Sequence, residues 1–264
     1  MAKESEIIFS KAEAARLPKL APRVSKVRHS LVPVEVRDLN EQLIQAAWDN
    51  NLAEVKRLVQ AGADINYQDG NTESAYQIST SEGYLEMLRF FIENGNIKLA
   101  IRDRYNGTGT IRAAERGHGE VVYWLWTIGD DADHINNPGY TALIESIIFG
   151  NADYNYTKTV LILAAISADF SLHKATAAPL DEALKMGQSH IAKIIQGVLE
   201  SPQKSHNEAQ ALLQNAVEQE DIVSAAITLR HGAIVKPSVM EKVKALNYPM
   251  LEEIIGLFGS SVED

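Results

Sequence analysis

The sequence predicts an all-α solenoid, that is, a stack of repeated helix-turn-helix units. One glycine series recurs at separations of 34 and 33 residues and comprises Gly83, Gly117 and Gly150. A second series recurs at separations of 33 and 34 residues and comprises Gly62, Gly95 and Gly129. Two series that share one period and keep a fixed offset indicate one motif repeated several times along the chain.

Each period contains the signals of two short helices. Thr108 can cap the first helix of its unit through its hydroxyl, and Thr141 occupies the same place one period later. Ala113 and Ala114 allow this helix to approach its neighbour closely. Gly83, Gly117 and Gly150 suit the left-handed turn that ends the first helix of their units. The second helix contributes apolar residues to the stack, for example Val121, Val122 and Leu125. A glycine of the second series ends it, and a polar loop leads to the next unit.

The order of residues within a unit resembles the ankyrin consensus. Residues 108–122 contain a Thr start, an Ala-Ala pair, Gly-His and then Glu-Val-Val. The first unit closes with Gly62–Asn66, which is similar to the family's Gly-Ala-Asp-Val-Asn ending, and the fourth opens with Gly139–Leu143. The resemblance implies an ankyrin-repeat solenoid of about six repeats plus helical caps.

The chain divides into three predicted segments. Residues 1–38 form an N-terminal capping or extended segment, residues 39–200 contain five ankyrin repeats, and residues 201–264 form an atypical C-terminal repeat with a helical cap. The boundaries of the five repeats are 40–69, 70–103, 104–136, 137–173 and 174–200. The fourth unit is longer than the others, which predicts an insertion at Asn151–Thr157.

The N-terminal segment has two alternative roles. Ile7, Ile8 and Phe9 form an apolar trio that is expected to cover the exposed end of the first repeat, followed by a short helix in Ala12–Leu20. The alternative is a basic arm for an acidic partner, because residues 1–30 carry seven basic and three acidic side chains, a net charge of +4. The basic residues are Lys3, Lys11, Arg16, Lys19, Arg23, Lys26 and Arg28.

Composition excludes several classes of function. The chain has 264 residues, no cysteine and a formal net charge of -10, so disulfides, thiolate metal sites and general affinity for nucleic acid are not expected. No segment approaches the roughly 20 apolar residues of a membrane-spanning helix, so membrane insertion is not expected. We expect a monomer in the cytoplasm, with export after removal of a signal peptide as the alternative location.

Two segments could be taken for chemical sites. Asn106–Thr110 is rich in glycine and threonine but lacks the lysine and the preceding strand of a phosphate-binding loop. Asp130–His134 could be drawn as a metal site, yet it falls where the repeat has a solvated loop. We therefore predict no catalytic, cofactor-binding or metal-binding residues. Trp124 and Trp126 lie two apart in one helix, so one should pack in the stack and the other should point outward.

The ankyrin resemblance places a partner on the concave face, which the loop tips and the first helices form. The corresponding partner-binding residues are Glu73, Glu82, Arg104, Tyr105, Glu115, Arg116, Tyr140, Ile148, Phe149, Lys174 and Lys185, with Asn71, Ser81, Asn137 and Met186 beside them. Units three and four are predicted to form the centre of this surface, with charged flanks at Glu73 and Glu82 on one side and at Lys174 and Lys185 on the other. The alternative is that Ile148 and Phe149 pack under the inserted loop.

The predicted function is therefore a non-enzymatic module that binds another protein, as a scaffold, an inhibitor or an immunity-type protein. One alternative is a secreted or translocated effector whose repeats engage a host protein. Another is an enzyme with a site at residues 151–157 or in the C-terminal region, for which a cavity with converging polar groups would be needed.

Overall fold

The computed structural model describes residues 7–20 and 38–259, which form fifteen α-helices and no β-strand. In chain order the helices are α1 Lys11–Arg16, α2 Leu39–Trp48, α3 Leu52–Gln60, α4 Ala75–Ser81, α5 Leu85–Asn94, α6 Gly109–Ala114, α7 Gly119–Thr127, α8 Ala142–Ile148, α9 Tyr154–Ala165, α10 Pro179–Lys185, α11 Ser189–Glu200, α12 His206–Glu218, α13 Ile222–Arg230, α14 Pro237–Ala245 and α15 Pro249–Gly259. Among them, none combines the length and apolarity that crossing a bilayer requires.

The helix boundaries follow the sequence signals. Thr108 and Thr141 each accept a hydrogen bond through the side chain from a backbone N–H of the first turn, as expected of helix caps. Gly83 and Gly117 adopt φ values of 71° and 75°, which confirms the left-handed turn between the two helices of a unit. The prediction for Gly150 is wrong, because the left-handed residue of the fourth unit is Ala152, at φ 50°.

The helix pairs of repeats one to five stack in two layers. The first helices, α2, α4, α6, α8 and α10, form one layer, and α3, α5, α7, α9 and α11 form the other. The loops are tied together by polar side chains, as when Asn66 donates to the Asn96 carbonyl at 2.8 Å and accepts from the Lys98 N–H at 2.9 Å. This two-layer stack is the predicted solenoid.

The inserted segment of the fourth unit is not a loop. Asp153 caps α9 by accepting from the backbone N–H groups of Asn155 and Tyr156, so residues 154–157 form the first turn of that helix. From Thr157 to Ala165 every residue of α9 is buried. A helix that is buried on all sides has protein neighbours on all sides. The helix α9 must therefore have neighbours beyond those of an ordinary repeat.

Those neighbours are the last two helix pairs, α12–α13 and α14–α15, which fold back onto the array. Both α13 and α15 pack against α9, and Arg230 of α13 donates to the Ala168 carbonyl at 2.8 Å. The layer of first helices therefore ends at α10. Leu184 of α10 is 57% exposed, whereas Ala114 and Ile147 at the same register in α6 and α8 are fully buried by the next repeat.

A buried lysine fixes this back-to-back packing. Lys158 of α9 forms ion pairs with Glu120 of α7 at 3.1 Å and with Glu253 of α15 at 2.6 Å. The hydroxyl of Tyr154 also donates to Glu253, at 2.9 Å. Phe258 of α15 covers the ring of Tyr123 with the ring centroids 5.0 Å apart. Three helices far apart in sequence are thus held at one point.

The N-terminal segment lies at the junction of the two stacks. Phe9 is fully buried and stacks on the ring of His190 in α11, with centroids 5.6 Å apart. Lys11 pairs with Glu220 at 3.4 Å, and the Pro18 carbonyl accepts from the Tyr154 N–H at 3.1 Å. The expectation that this segment covers the first repeat is therefore wrong, because the apolar surface it finds lies between α11 and α13. Of the predicted basic arm, Lys3, Arg23, Lys26 and Arg28 lie outside the described residues.

The close packing of α7 on α9 predicts a strong effect of a side chain at Gly119. A Cβ there would lie 2.8 Å from Ile162 Cδ1 and 3.1 Å from the Thr159 Cα. We expect Gly119→Val to lower the free energy of unfolding by about 1–3 kcal/mol, because one helix must move away from the other. Gly256→Ala is the matched control, since its only close neighbour is Met240 Cε at 3.9 Å. Chemical denaturation should show the control unchanged or slightly stabilised; equal stability of both variants would contradict this packing.

Candidate partner-binding surface

The candidate surface is the outer face of the first-helix layer together with the loop tips of repeats two to five. It contains all the residues that the sequence assigns to a partner. On the opposite face, α13 and α15 pack against α9, the second helix of repeat four. At repeat four, the first-helix face is therefore the one left open to a partner.

A row of ion pairs crosses this surface in repeats two and three. Arg112, which is 8% exposed, binds Glu73 at 2.7 Å and Asp103 at 3.2 Å. Arg116 binds Glu82 at 2.7 Å. Burial raises the pKa of Glu73, and Arg112 opposes that rise. The structure thus places Glu73 and Glu82 in pairs that join neighbouring repeats, and not on a free acidic flank.

Glu145 in α8 is a functional candidate that the sequence analysis missed. Its side chain is 5% exposed, and its Oε1 accepts from Asn136 Nδ2 at 2.8 Å. Burial raises its pKa to about 7, and repulsion from Glu115 and Asp103 adds to the rise. The sequence did contain a signal for it, because Glu145 is the one charged residue in the helix Ala142–Ile148, whose other residues are apolar or small.

The loop tips present aromatic residues beside this carboxylate. Tyr105 is 51% exposed, and the guanidinium of Arg104 lies 4.9 Å from its ring centroid. The Tyr105 carbonyl accepts from the Asn137 N–H at 2.8 Å, which ties the tips of repeats three and four together. Tyr140 is half-buried, and its backbone N–H donates to Asn136 Oδ1 at 2.8 Å.

The remaining predicted residues occupy the ends of the first helices. Ile148 is half-buried against the core, and Phe149 is the half-buried C-cap residue of α8. Glu115 is half-buried, and its carbonyl accepts from the Tyr156 hydroxyl at 2.8 Å. Of the predicted residues in repeats three and four, Tyr105 and Tyr140 lie in the loops before the first helices, and Glu115, Ile148 and Phe149 lie at the ends of those helices.

Repeat five contributes cations at the edge of the surface. Lys174 and Lys185 are both exposed. Lys185 pairs with Glu182 of its own helix at 2.9 Å, but its side chain is 70% exposed, so this pair adds little stability. Lys185 thus remains accessible at the end of the first-helix layer.

The acidic segment at Asp130 has a structural role. Asp130 accepts from the backbone N–H and the hydroxyl of Thr110 at 2.9 and 2.8 Å, and Asp133 accepts from the Asp169 N–H. His134 hydrogen-bonds the Asn106 carbonyl at 2.7 Å. Within residues 7–20 and 38–259, no three acidic, histidine or cysteine side chains form a group able to hold a metal ion.

The two tryptophans of α7 differ in burial. Trp124 is half-buried against the core, with the guanidinium of Arg89 4.9 Å from its ring. Trp126 is 39% exposed beside Phe258. This confirms the prediction that one tryptophan packs in the stack and the other points outward.

A cavity of about 350 Å³ lies between the end of α11 and the pair α12–α13. Its polar wall includes Asp221 and Ser224, but Asp221 accepts from the backbone N–H and the hydroxyl of Ser224 as the cap of α13. Lys204, also in the wall, donates to Ser201 Oγ and the Pro202 carbonyl. These groups serve local structure and do not converge on a common point.

Comparison with known proteins agrees with this architecture. A family model described as ankyrin repeats (3 copies) matches residues 43–126. The Escherichia coli (strain K12) protein YahD, an ankyrin repeat protein by name, is 29% identical over 143 residues, which are 53% of this chain and 71% of YahD.

Two crystal structures match a larger part of the chain. An ankyrin repeat domain from Acinetobacter baumannii AYE is 36% identical, with a TM-score of 0.57 over 65% of this chain and 87% of that domain. The ankyrin repeat protein EF0377 is 30% identical, with a TM-score of 0.57 over 62% of this chain and 86% of its own. The chain therefore belongs to the ankyrin-repeat family, whose repeats generally serve protein–protein interaction and whose fold is typically non-enzymatic.

Proposed function

We propose that this protein is a non-enzymatic interaction module that binds a partner protein across the first helices and loop tips of repeats three and four. The family supports the general role, and the fold-back of the C-terminal helices supports the choice of face. The second-helix face of repeat four is covered by α13 and α15, which favours the first-helix layer as the side that a partner meets.

The exposure of Tyr105 is the observation that carries this assignment. Half of a large aromatic side chain is exposed, yet its backbone is fixed by the Asn137 N–H and its ring lies beside the Arg104 guanidinium. Tyrosine and arginine are enriched among residues that dominate binding energy at interfaces. Ordered backbone around such a residue lowers the entropy lost on binding.

The ion pairs of repeats two and three support the same conclusion. Arg112 and Arg116 each join side chains of neighbouring repeats, and their partners Glu73 and Glu82 are largely buried. Such pairs fix the spacing between adjacent first helices. The surface is therefore shaped before a partner arrives, as expected for a preorganised binding site.

The variant Tyr105→Ala/Phe149→Ala tests the proposal. We expect it to lose at least about tenfold in affinity for the partner, because two apolar contacts of about 1 kcal/mol or more each are removed. The assay is affinity capture from the native organism's lysate with mass spectrometry, followed by binding of the purified partner.

The matched control is Leu199→Ala/Leu212→Ala, which removes two similarly exposed apolar side chains, 45% and 38% exposed, outside the surface. Circular dichroism should show equal helix content for both variants. A partner that binds the Tyr105→Ala/Phe149→Ala variant as well as the intact protein would place the interface elsewhere.

A further inference from the structure

Two arginines of the partner-binding surface are paired with carboxylates between repeats two and three. Arg112 binds Glu73 and Asp103, and Arg116 binds Glu82. Arg104, at the loop tip, lies instead over the ring of Tyr105.

Between repeats three and four, two carboxylates of the surface lack such an ion pair. Glu115 and Glu145 are close enough for Glu115 to raise the pKa of Glu145, and neither forms an ion pair with any cation in the described part of the chain. In repeat five, Glu182 occupies the register of Glu145, and its charge is compensated by Lys185 of the same helix at 2.9 Å. Repeat four has Ile148 where repeat five has Lys185.

Glu145 is also incompletely hydrogen-bonded. Its Oε1 accepts from Asn136, but its Oε2 is buried and no donor reaches it from the residues that the structure describes. Only 5% of Glu145 is exposed to solvent. A buried carboxylate oxygen without a donor destabilises the folded protein. A ligand that supplies a donor would remove this cost.

We infer that the partner completes this site with a lysine or arginine side chain, which lies over Glu115 and donates to the carboxylate of Glu145. This inference rests on the proposed function and specifies the chemistry of the partner at one point of the surface. We call Glu115 and Glu145 the acidic pair.

The surroundings of the acidic pair suit a basic side chain with an aliphatic stem. Asn136 contacts both Glu145 and the backbone of Tyr140, and the adjacent Asn137 holds the backbone of Tyr105. Aromatic residues are thus tied to the acidic pair through one loop. The methylene groups of lysine or arginine can pack along such rings while the charged end reaches the carboxylate.

Binding of a cation at the acidic pair is coupled to the release of a proton from Glu145. The elements packed against α8 carry Arg112 in α6, Lys158 in α9, and Asp181, Glu182 and Lys185 in α10. Asp103, Glu115 and Arg116 flank α6. Because the pKa of Glu145 is raised to about 7 in the free protein, a bound cation ionises the carboxyl group and releases its proton. Affinity is then expected to fall about tenfold from pH 8 to pH 6.

The test uses a display library of random linear peptides selected on the intact protein. Peptides that bind at the surface are recognised because Tyr105→Ala/Phe149→Ala abolishes their binding. We expect these peptides to contain a lysine or arginine whose replacement by alanine weakens binding. We also expect Glu115→Gln/Glu145→Gln to weaken binding about tenfold at pH 8 and to remove the dependence on pH.

Glu182→Gln is the matched control, because it removes a buried carboxylate at the same register of the next repeat. It should leave peptide affinity and its pH dependence unchanged. The inference about the acidic pair would be wrong if surface-binding peptides lacked a basic residue, or if they bound the Glu115→Gln/Glu145→Gln variant as tightly as the intact protein. Either result would leave the proposed binding surface unchallenged. Peptides unaffected by Tyr105→Ala/Phe149→Ala would overturn both the inference and the proposed function.

Discussion

A chain that ends at Glu200 is expected to lose cooperative folding, although it keeps all five repeats of the first stack. In an open repeat array, each unit contacts only its neighbours, and terminal units can be removed at a modest cost. Here α13 and α15 cover α9, whose residues Val160, Leu161, Ile162 and Leu163 are all fully buried. The truncation exposes part of that helix to water.

The expected cost is large compared with the stability of a domain. Each Leu, Ile or Val side chain that becomes exposed costs about 1.5–3 kcal/mol, so two or three of them cost roughly 3–9 kcal/mol. Total stabilities are about 5–15 kcal/mol. The truncated chain should therefore bind a hydrophobic dye, aggregate during size-exclusion chromatography and unfold without a sharp transition.

A chain that ends at Gly259 is the control, because it retains every described helix. It should unfold in one transition at the same denaturant concentration as the full chain. If the chain that ends at Glu200 remained monomeric with a sharp unfolding transition, the covering of α9 would not be required for the fold.

Replacement of Glu145 by glutamine is expected to change how stability depends on pH. Burial raises the pKa of Glu145 from its ordinary value of 4.5 to about 7 in the folded protein. Between these values the folded state holds a proton that the unfolded state has lost, so the stability of the protein falls as the pH rises. Above about pH 7 the full penalty is present, and it amounts to about 3 kcal/mol.

Glu145→Gln removes this penalty. The free energy of unfolding of the variant relative to the intact protein should rise by about 3 kcal/mol from pH 4.5 to pH 8. Because only the change with pH is compared, any constant effect of the amide cancels. Urea denaturation across this range measures it, with Glu182→Gln as the control for loss of a buried carboxyl. Parallel pH profiles for Glu145→Gln and the intact protein would contradict the raised pKa.

The sequence was sufficient to predict the repeated unit because the unit is defined by local signals. Hydroxyl caps at Thr108 and Thr141, left-handed glycines at Gly83 and Gly117, and the period between them require no knowledge of the tertiary structure. Gly150 was an exception because the chain there reaches the next helix through Ala152 instead.

The fold-back could not be predicted in the same way, because it depends on which apolar surfaces meet. The run from Thr159 to Ala165 is almost wholly apolar, which is compatible with one covered face or with several. The sequence likewise indicates only that Phe9 is apolar. Its position against His190 depends on contacts between distant parts of the chain.

The candidate surface was predicted in part. The repeat register identifies which residues lie at loop tips and helix ends, as it does for Tyr105. The register does not indicate which charges neutralise each other, so Glu73 and Glu82 were assigned to a free flank although arginines one repeat further on bind them. Glu145 was missed for the same reason, since its significance depends on Ile148 standing where repeat five has the pairing cation Lys185.

The position of the N-terminal segment also sets the order of events during synthesis. Lys11 hydrogen-bonds Leu246 and pairs with Glu220, so the residues made first contact residues made more than two hundred positions later. At about 5–20 residues per second, roughly 10–50 s separate the two on the ribosome. Phe9 therefore lacks its packing partner His190 until α11 has been synthesised. The contacts of Lys11 close only after Leu246 has been made, and they join the N-terminal segment to the C-terminal helix pairs.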